Sequence, residues 1–199
     1  MLPENNAISR PDDLMENAIL VEDGGDGNFS GGDYFLFYAD GPDEWIKDSV
    51  NKKFTHQKNL YSNESYYYIN ISGNGKRIQA QNPPGPGNTI VENFDERYYH
   101  ELDTINFLSS GKQWYGEEFS ATPGRTSSRD FIVNFPGLLV NMPVSVTSDV
   151  IGRSVGQASR FDVRLNNIPL YQHILQPLPG ILYEPVATTS QLSTTINLT

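Results

Sequence analysis

The sequence predicts an all-β protein, and three features of the chain support this fold class. The 199 residues include 11 Tyr and 10 Phe, and rings favour pleated, half-buried surfaces. A further 17 Gly and 13 Pro interrupt most segments that are long enough for a helix. Apolar residues alternate with polar ones along the second half. We expect an antiparallel β-sandwich of jelly-roll or Greek-key type there, preceded by a smaller β-rich subdomain.

In the first half, two predicted strands flank one acidic loop, and a predicted hairpin follows them. Residues Ala18 to Val21 form a short predicted strand, and the aromatic segment Tyr34 to Tyr38 forms a buried one. The loop between them is rich in Asp and Gly. After it, Tyr66 to Ile71 and Lys76 to Ala80 flank Gly73-Asn74-Gly75, which predicts a hairpin over Tyr66 to Ala80.

A Pro-Gly segment over residues 82–87 divides the sequence. It predicts a β-rich subdomain over residues 1–82 and a β-sandwich domain over residues 88–199, although the same break is compatible with one domain. The only helix that the pattern permits is a turn near Thr104 to Ser110. Strands are predicted where apolar residues share a parity: Phe131, Val133 and Phe135; Val144 and Val146; Phe161, Val163 and Leu165; and the segment Ser190 to Leu198. The sandwich is expected to lack a closing strand at its C-terminus, which would leave an edge open.

Charge and composition exclude several classes of function. The net charge of −10, from 14 Lys and Arg against 24 Asp and Glu, would repel a phosphate backbone, so we expect no nucleic-acid partner. No apolar run approaches the roughly 20 residues that span a bilayer. The first ten residues lack the pattern of a signal peptide, although a fragment of an exported protein would lack it too. The chain has no Cys, which excludes disulfides, thiolate metal sites and Cys nucleophiles within it.

The acidic loop is a candidate calcium site, because it matches part of the calcium-loop template. Gly24 occupies the third position, where the template has an oxygen ligand, and the flanking segments are strands rather than helices. The alternative is a hairpin loop whose carboxylates accept backbone N–H bonds. The candidate ligands are Glu22, Asp26, Asn28, Ser30 and Asp33, around Gly27 at the sixth position.

Histidines and aromatic residues give weaker signals. The three histidines have no spacing that would place two imidazoles on one metal ion, and His100 beside Glu101 is interpreted as a structural or surface residue. Trp45, Trp114, Tyr115 and the run Tyr66 to Tyr68 could stack on a sugar, although such aromatics more often pack in a core.

Several distinctive segments follow one another in a fixed order along the chain. They are Arg10 to Ala18, the loop Asp26 to Asp33 with the strand Tyr34 to Tyr38, Gly41-Pro42-Asp43 with Trp45, His56 to Ser62, Tyr66 to Tyr68, Gly75 to Ile78, His100 to Asp103, Ser110 to Lys112, and Trp114 to Glu117. This order resembles the type IX secretion system sortases, the PorU-like family of gingipain-type cysteine peptidases. The similarity is to the region just upstream of the peptidase domain, and it is most specific between residues 10 and 120.

This resemblance implies a parent enzyme at the bacterial cell surface. Such an enzyme removes the C-terminal signal domain from cargo crossing the outer membrane and joins the cargo to a lipopolysaccharide anchor. The catalytic Cys and His of the family belong to the peptidase domain, so no catalytic residue carries over to this chain. The expected role is a non-catalytic accessory region that contacts the peptidase domain of the same parent protein, secretion-system outer-membrane proteins and cargo, with calcium as the candidate cofactor. The alternative is a carbohydrate-binding β-sandwich module of a secreted bacterial protein.

Overall fold

A computed structural model describes residues 12–106, 114–181 and 185–198 of the chain. These residues form eight β-strands and no helix, which confirms the all-β fold class. The chain divides into two compact units, residues 1–95 and 96–199, and each is described by itself. The strands are β1 (Ile19–Glu22), β2 (Tyr34–Phe37), β3 (Glu44–Asp48), β4 (Lys53–Gln57), β5 (Pro143–Gly152), β6 (Ser159–Leu165), β7 (Ile168–Leu175) and β8 (Thr188–Asn197).

The first unit contains two antiparallel pairs, β1 with β2 and β3 with β4. Both strands of the first pair lie where the aromatic and aliphatic pattern predicts them, and Leu20 lies opposite Leu36. On its other side, β1 makes a parallel bridge between Ile19 and Arg77. This bridge gives β1 a neighbour on each side, whereas β2 pairs with β1 alone among the described residues.

The hairpin of β3 and β4 depends on Asp48, which closes its turn. One oxygen of the Asp48 carboxylate accepts hydrogen bonds from the backbone N–H groups of Val50 and Asn51, both at 3.0 Å. The other oxygen accepts one from the Asn51 side chain at 2.7 Å. These bonds, with the Asn51 backbone first, lower the pKa of Asp48. Lys52 follows with a positive φ of 52°, a conformation that completes the reversal.

The second unit contains the longer pairs, β5 with β8 and β6 with β7. The turn between β6 and β7 has two consecutive residues with positive φ, Asn166 at 47° and Asn167 at 69°, as a tight hairpin turn requires. Side chains alternate between half-buried and exposed along β6, with Phe161 and Val163 on the half-buried face. The predicted parity of this strand is therefore confirmed, as is that of Val144 and Val146 at the start of β5.

Strand β7 supplies most of the buried side chains of the second unit. Leu175 is 1% exposed and His173 is fully buried, and Leu178 follows just beyond the strand. The Leu175 side chain lies against Gly152 of β5, where an added Cβ would approach Leu175 Cδ1 to 3.0 Å. The core of this unit therefore lies where β7 approaches β5 and β8.

The predicted hairpin over Tyr66 to Ala80 is wrong, because this segment forms no strand pair with itself. Its side chains and backbone bind the β1–β2 pair instead. The Tyr67 hydroxyl donates to the carbonyl oxygen of Asp40 at 2.8 Å. The Lys76 carbonyl and the Ile78 N–H both bond to the backbone of Ile19.

Two further predictions from the pattern fail in the second unit. The residues from Phe131 to Phe135 form no strand, and the Phe131 ring lies against His100 with centroids 5.0 Å apart. The helical turn near Thr104 is also wrong in its described part, since Ile105 pairs with Tyr115 in an antiparallel bridge; residues 107–110 lie outside the described residues. Within the described part of the chain, no helix has the length and apolarity needed to cross a membrane.

Candidate functional site

The acidic loop between β1 and β2 is held by carboxylates that accept backbone hydrogen bonds. One Asp26 oxygen accepts from the N–H of Asn28 at 2.8 Å, and one Asp33 oxygen accepts from the N–H of Ser30 at 2.5 Å. Asp23 does the same for the N–H of Gly25 at 3.0 Å. Short side-chain acceptors of this kind stabilise turns without any ion. The loop is therefore organised as the hydrogen-bonded alternative describes.

The candidate calcium ligands have separate positions in this loop. Glu22 ends β1 opposite Tyr34, and the Asn28 side chain donates to the carbonyl oxygen of Asp26 at 3.3 Å. Asp26 and Asp33 each use one carboxylate oxygen for the backbone. In the described ranges, no group of three or more His, Asp or Glu side chains is arranged to hold a metal ion. Calcium binding by Glu22, Asp26, Asn28, Ser30 and Asp33 stays a prediction.

The calcium prediction is tested by titrating the chain with calcium in a calorimeter and by thermal melts in chelator and in excess calcium. A calcium site raises the melting temperature by mass action, since the ion binds the native state. The heat and the rise should both vanish in Asp26→Ala and in Asp33→Ala, and should persist in Asp130→Ala of the second unit. Absence of heat and of any shift in the original chain would leave the loop a hydrogen-bonded turn.

One face of the β1–β2 pair carries a continuous aromatic cluster. The ring centroids of Phe29 and Phe35 are 6.5 Å apart, those of Phe35 and Phe37 are 6.3 Å apart, and those of Phe37 and Tyr67 are 5.2 Å apart. Such separations are typical of favourable ring contacts. The cluster joins the loop, β2 and the segment that follows the second hairpin, so it holds the first unit together.

The opposite face of β2 is exposed, which corrects the prediction of a buried strand. Tyr34 is 50% exposed and Leu36 is 52% exposed, and Tyr38 just beyond the strand is 78% exposed. Strand side chains alternate between faces, so these residues share one side. We call them the open face of β2. The sequence predicted a strand buried on both faces because the residues on each of its faces are apolar.

Among residues 12–106, 114–181 and 185–198, no strand pairs with the side of β2 that faces away from β1, and we call this side the open edge of β2. Ile19 directs its N–H to Lys76 and its carbonyl to Ile78, at 3.1 and 3.0 Å, and therefore away from β2. Hydrogen-bonded and non-hydrogen-bonded pairs alternate along an antiparallel pair, so Leu20 and Leu36 exchange the bonds between β1 and β2. The N–H and C=O groups of Phe35 and Phe37 consequently point away from β1.

Two histidines, His100 in the second unit and His56 in the first, form contacts with neighbouring side chains. His100 is followed by Glu101 in the sequence, but its side chain hydrogen-bonds to Glu117. The distance between His100 Nε2 and Glu117 Oε1 is 2.6 Å. Burial raises the pKa of Glu117, but the hydrogen bond from His100, a backbone hydrogen bond and the charges of His100 and Arg129 together outweigh this, and the net pKa is lowered. In the first unit, His56 meets the edge of the Trp45 ring at 4.9 Å between centroids. Both positions are structural contacts.

His173 forms a buried polar link that sequence reasoning missed. Its Nε2 lies 2.8 Å from the hydroxyl of Ser148 on β5, and its Nδ1 lies 2.9 Å from the hydroxyl of Ser190 on β8. Tyr171 also lies beside it, in an edge contact between the rings. Burial lowers the pKa of His173, and the charge of Asp149 offsets part of this effect. The sequence feature that could have indicated this buried position is a His among the apolar residues of a strand in which polar and apolar residues alternate.

The pH dependence of stability follows from this burial. The lowered pKa of His173 means that the unfolded chain takes up a proton first as the pH falls, so stability is full above about pH 6.5 and declines below it. Denaturant unfolding between about pH 7 and 5.5 should show a loss of up to about 1.4 kcal/mol per pH unit. The slope should be absent in His173→Asn and retained in His56→Asn. A gain in stability on acidification would contradict this assignment.

Comparisons with known proteins give no relative. No protein-family model, no curated protein and no solved structure matches the chain.

Proposed function

We propose that this chain is a non-catalytic accessory β region of a PorU-like type IX secretion sortase. In this role it lies at the bacterial cell surface, supports the gingipain-like peptidase domain of its parent protein, and positions cargo or outer-membrane partners. The order of segments between residues 10 and 120 supports the family. The open face and open edge of β2 support a role in binding another polypeptide.

The observation that supports the proposal most directly is that other side chains cover only one of the two faces of β2. This strand is apolar on both faces, yet the aromatic cluster covers only the face of Phe35 and Phe37. Tyr34 and Leu36 remain about half exposed on the other. Contiguous exposed apolar surface rimmed by polar groups marks interaction sites. A protein domain that packs on this face would complete the sheet layer.

The lack of a cysteine nucleophile in the sequence agrees with an accessory role beside a cysteine peptidase domain. The 199 residues contain no Cys, so a cysteine peptidase activity would have to come from another domain. The hydrogen-bond partner described for His100 is Glu117, those described for His173 are Ser148 and Ser190, and His173 is fully buried. We propose further that the β5–β8 and β6–β7 pairs are parts of a jelly-roll or Greek-key sandwich.

The proposal is tested by mixing the chain with the separately expressed peptidase domain of a type IX sortase encoded in the same genome. Sedimentation should show a one-to-one complex, because the open face of β2 would be covered on binding. Leu36→Ser should weaken the complex at least about tenfold, which corresponds to about 1.4 kcal/mol. Leu192→Ser, an exposed leucine of β8, is the matched control. No complex at high micromolar concentration would overturn the proposal.

A carbohydrate-binding role is the second candidate, because the named aromatics are partly exposed. Trp45 is 45% exposed and Tyr66 is 51% exposed in the first unit, and Trp114 is 39% exposed in the second. Exposed rings can stack on the apolar faces of sugars. Affinity electrophoresis in gels containing polysaccharides should show retardation that Trp45→Ala removes. Equal migration with and without polysaccharide would eliminate this candidate.

A further inference from the structure

Apart from its short length of four residues, the open edge of β2 lacks the features by which proteins protect edge strands. Natural edges usually carry Lys, Pro or an inward charge, or are very short or bulged. The four residues of β2 contain none of these residue types, and the β1–β2 pairing runs in regular register without a bulge. Because the backbone groups of Phe35 and Phe37 point outward, this edge can accept another extended chain.

The side chains beside this edge define what an added strand would meet. An extended segment pairing with β2 would place alternate side chains next to the open face and next to the aromatic cluster. The open face offers Tyr34, Leu36 and Tyr38, all at least half exposed. Asp33 precedes β2 and Asp40 follows it, so both ends of the added strand would lie near a carboxylate.

Charge selects the class of partner. Between Asp12 and Ile46 the sequence has ten Asp and Glu residues and no Lys or Arg. Complementary charge steers association and suppresses wrong partners. A second copy of this chain would bring the same acidic stretch against itself, and a nucleic acid would be repelled as well. A polypeptide carrying Lys or Arg would be attracted.

We propose that the open edge of β2 binds an extended, Lys- or Arg-bearing segment of a partner protein by strand addition. Backbone hydrogen bonds to Phe35 and Phe37 hold the segment, its apolar side chains contact the open face, and its cationic side chains are drawn by the surrounding carboxylates. This inference rests on the proposed function only in that the chain binds another polypeptide, and it adds the mode of binding and the charge of the partner.

The test measures the fluorescence anisotropy of a short labelled peptide of alternating valine and lysine, with an alternating valine and glutamate peptide as its matched control. The lysine peptide should bind the full chain and the glutamate peptide should not. Affinity should fall as salt is raised, because exposed charges are screened. Leu36→Lys should weaken binding at least about tenfold by placing a like charge at the edge. Ile46→Lys, an exposed aliphatic residue of β3, should bind like the original chain.

A second pair of variants keeps the inference testable if Leu36→Lys fails to fold in a circular dichroism melt. Asp40→Asn should weaken the lysine peptide, whereas Asp130→Asn in the second unit should not. Equal binding of both peptides, equal effects of the paired variants, or dimerisation of the chain through β2 would overturn the inference. Binding of the peptidase domain without the lysine peptide would overturn this inference and leave the proposed function standing. Binding of the peptide without the domain would do the reverse.

Discussion

Leu175→Ala is expected to destabilise the second unit by about 2–4 kcal/mol, a typical cost for removing a buried leucine side chain. Leu175 is 1% exposed, its side chain lies against Gly152, and it is the register partner of Ser159 on β6. Few other described side chains are buried, so little of the surrounding structure could compensate by repacking. Urea unfolding followed by circular dichroism measures the loss.

The matched control is the neighbouring residue of the same strand. Ile174 is 60% exposed, and Ile174→Ala should change stability by less than about 0.5 kcal/mol. Equal losses in the two variants would show that β7 does not direct Leu175 inward. The assignment of alternate β7 side chains to a buried and an exposed face would then be wrong.

Phe37→Ala is expected to destabilise the first unit by about 2 kcal/mol, less than a fully buried Phe because the side chain is half-buried. Phe37 lies at the centre of the aromatic cluster, between Phe35 and Tyr67. Its loss should release the Tyr67 segment from β2. The fluorescence of Trp45 during urea unfolding reports the stability of this unit.

Leu36→Ala is the control for Phe37→Ala, because it shortens the adjacent side chain on the open face. It should cost well under about 1 kcal/mol in the isolated chain, since little contact is lost. A larger loss for Leu36→Ala than for Phe37→Ala would show that the covered face had been assigned to the wrong side of β2.

Local patterns predicted the elements that depend on neighbouring residues. The alternation of Phe161, Val163 and Leu165 predicted both the strand and its half-buried face. Both features are decided within a few residues, so sequence was sufficient. The β3–β4 hairpin was missed although Asp48 and Asn51 are typical turn residues, because its strands carry mixed polar and apolar residues.

Contacts between distant segments could not be predicted in the same way. Tyr66 to Ile71 has the composition of a strand, but Tyr67 instead packs on Phe37, and Ile78 bonds to Ile19. Tertiary context of this kind overrides β-propensity. The candidate site divides similarly: the acidic loop was evident from sequence, whereas the link from His173 to Ser148 and Ser190 joins three strands and needed the fold.

The central claim is that β2 is an open strand that a partner protein covers. Amide hydrogen exchange at Phe35 and Phe37 tests it most directly, measured by NMR with and without the sortase peptidase domain. The account predicts fast exchange at both amides in the isolated chain and slow exchange in the complex, while Leu36, which bonds to β1, exchanges slowly in both. Slow exchange at Phe35 and Phe37 in the isolated chain, or no protection on adding the domain, would contradict the account.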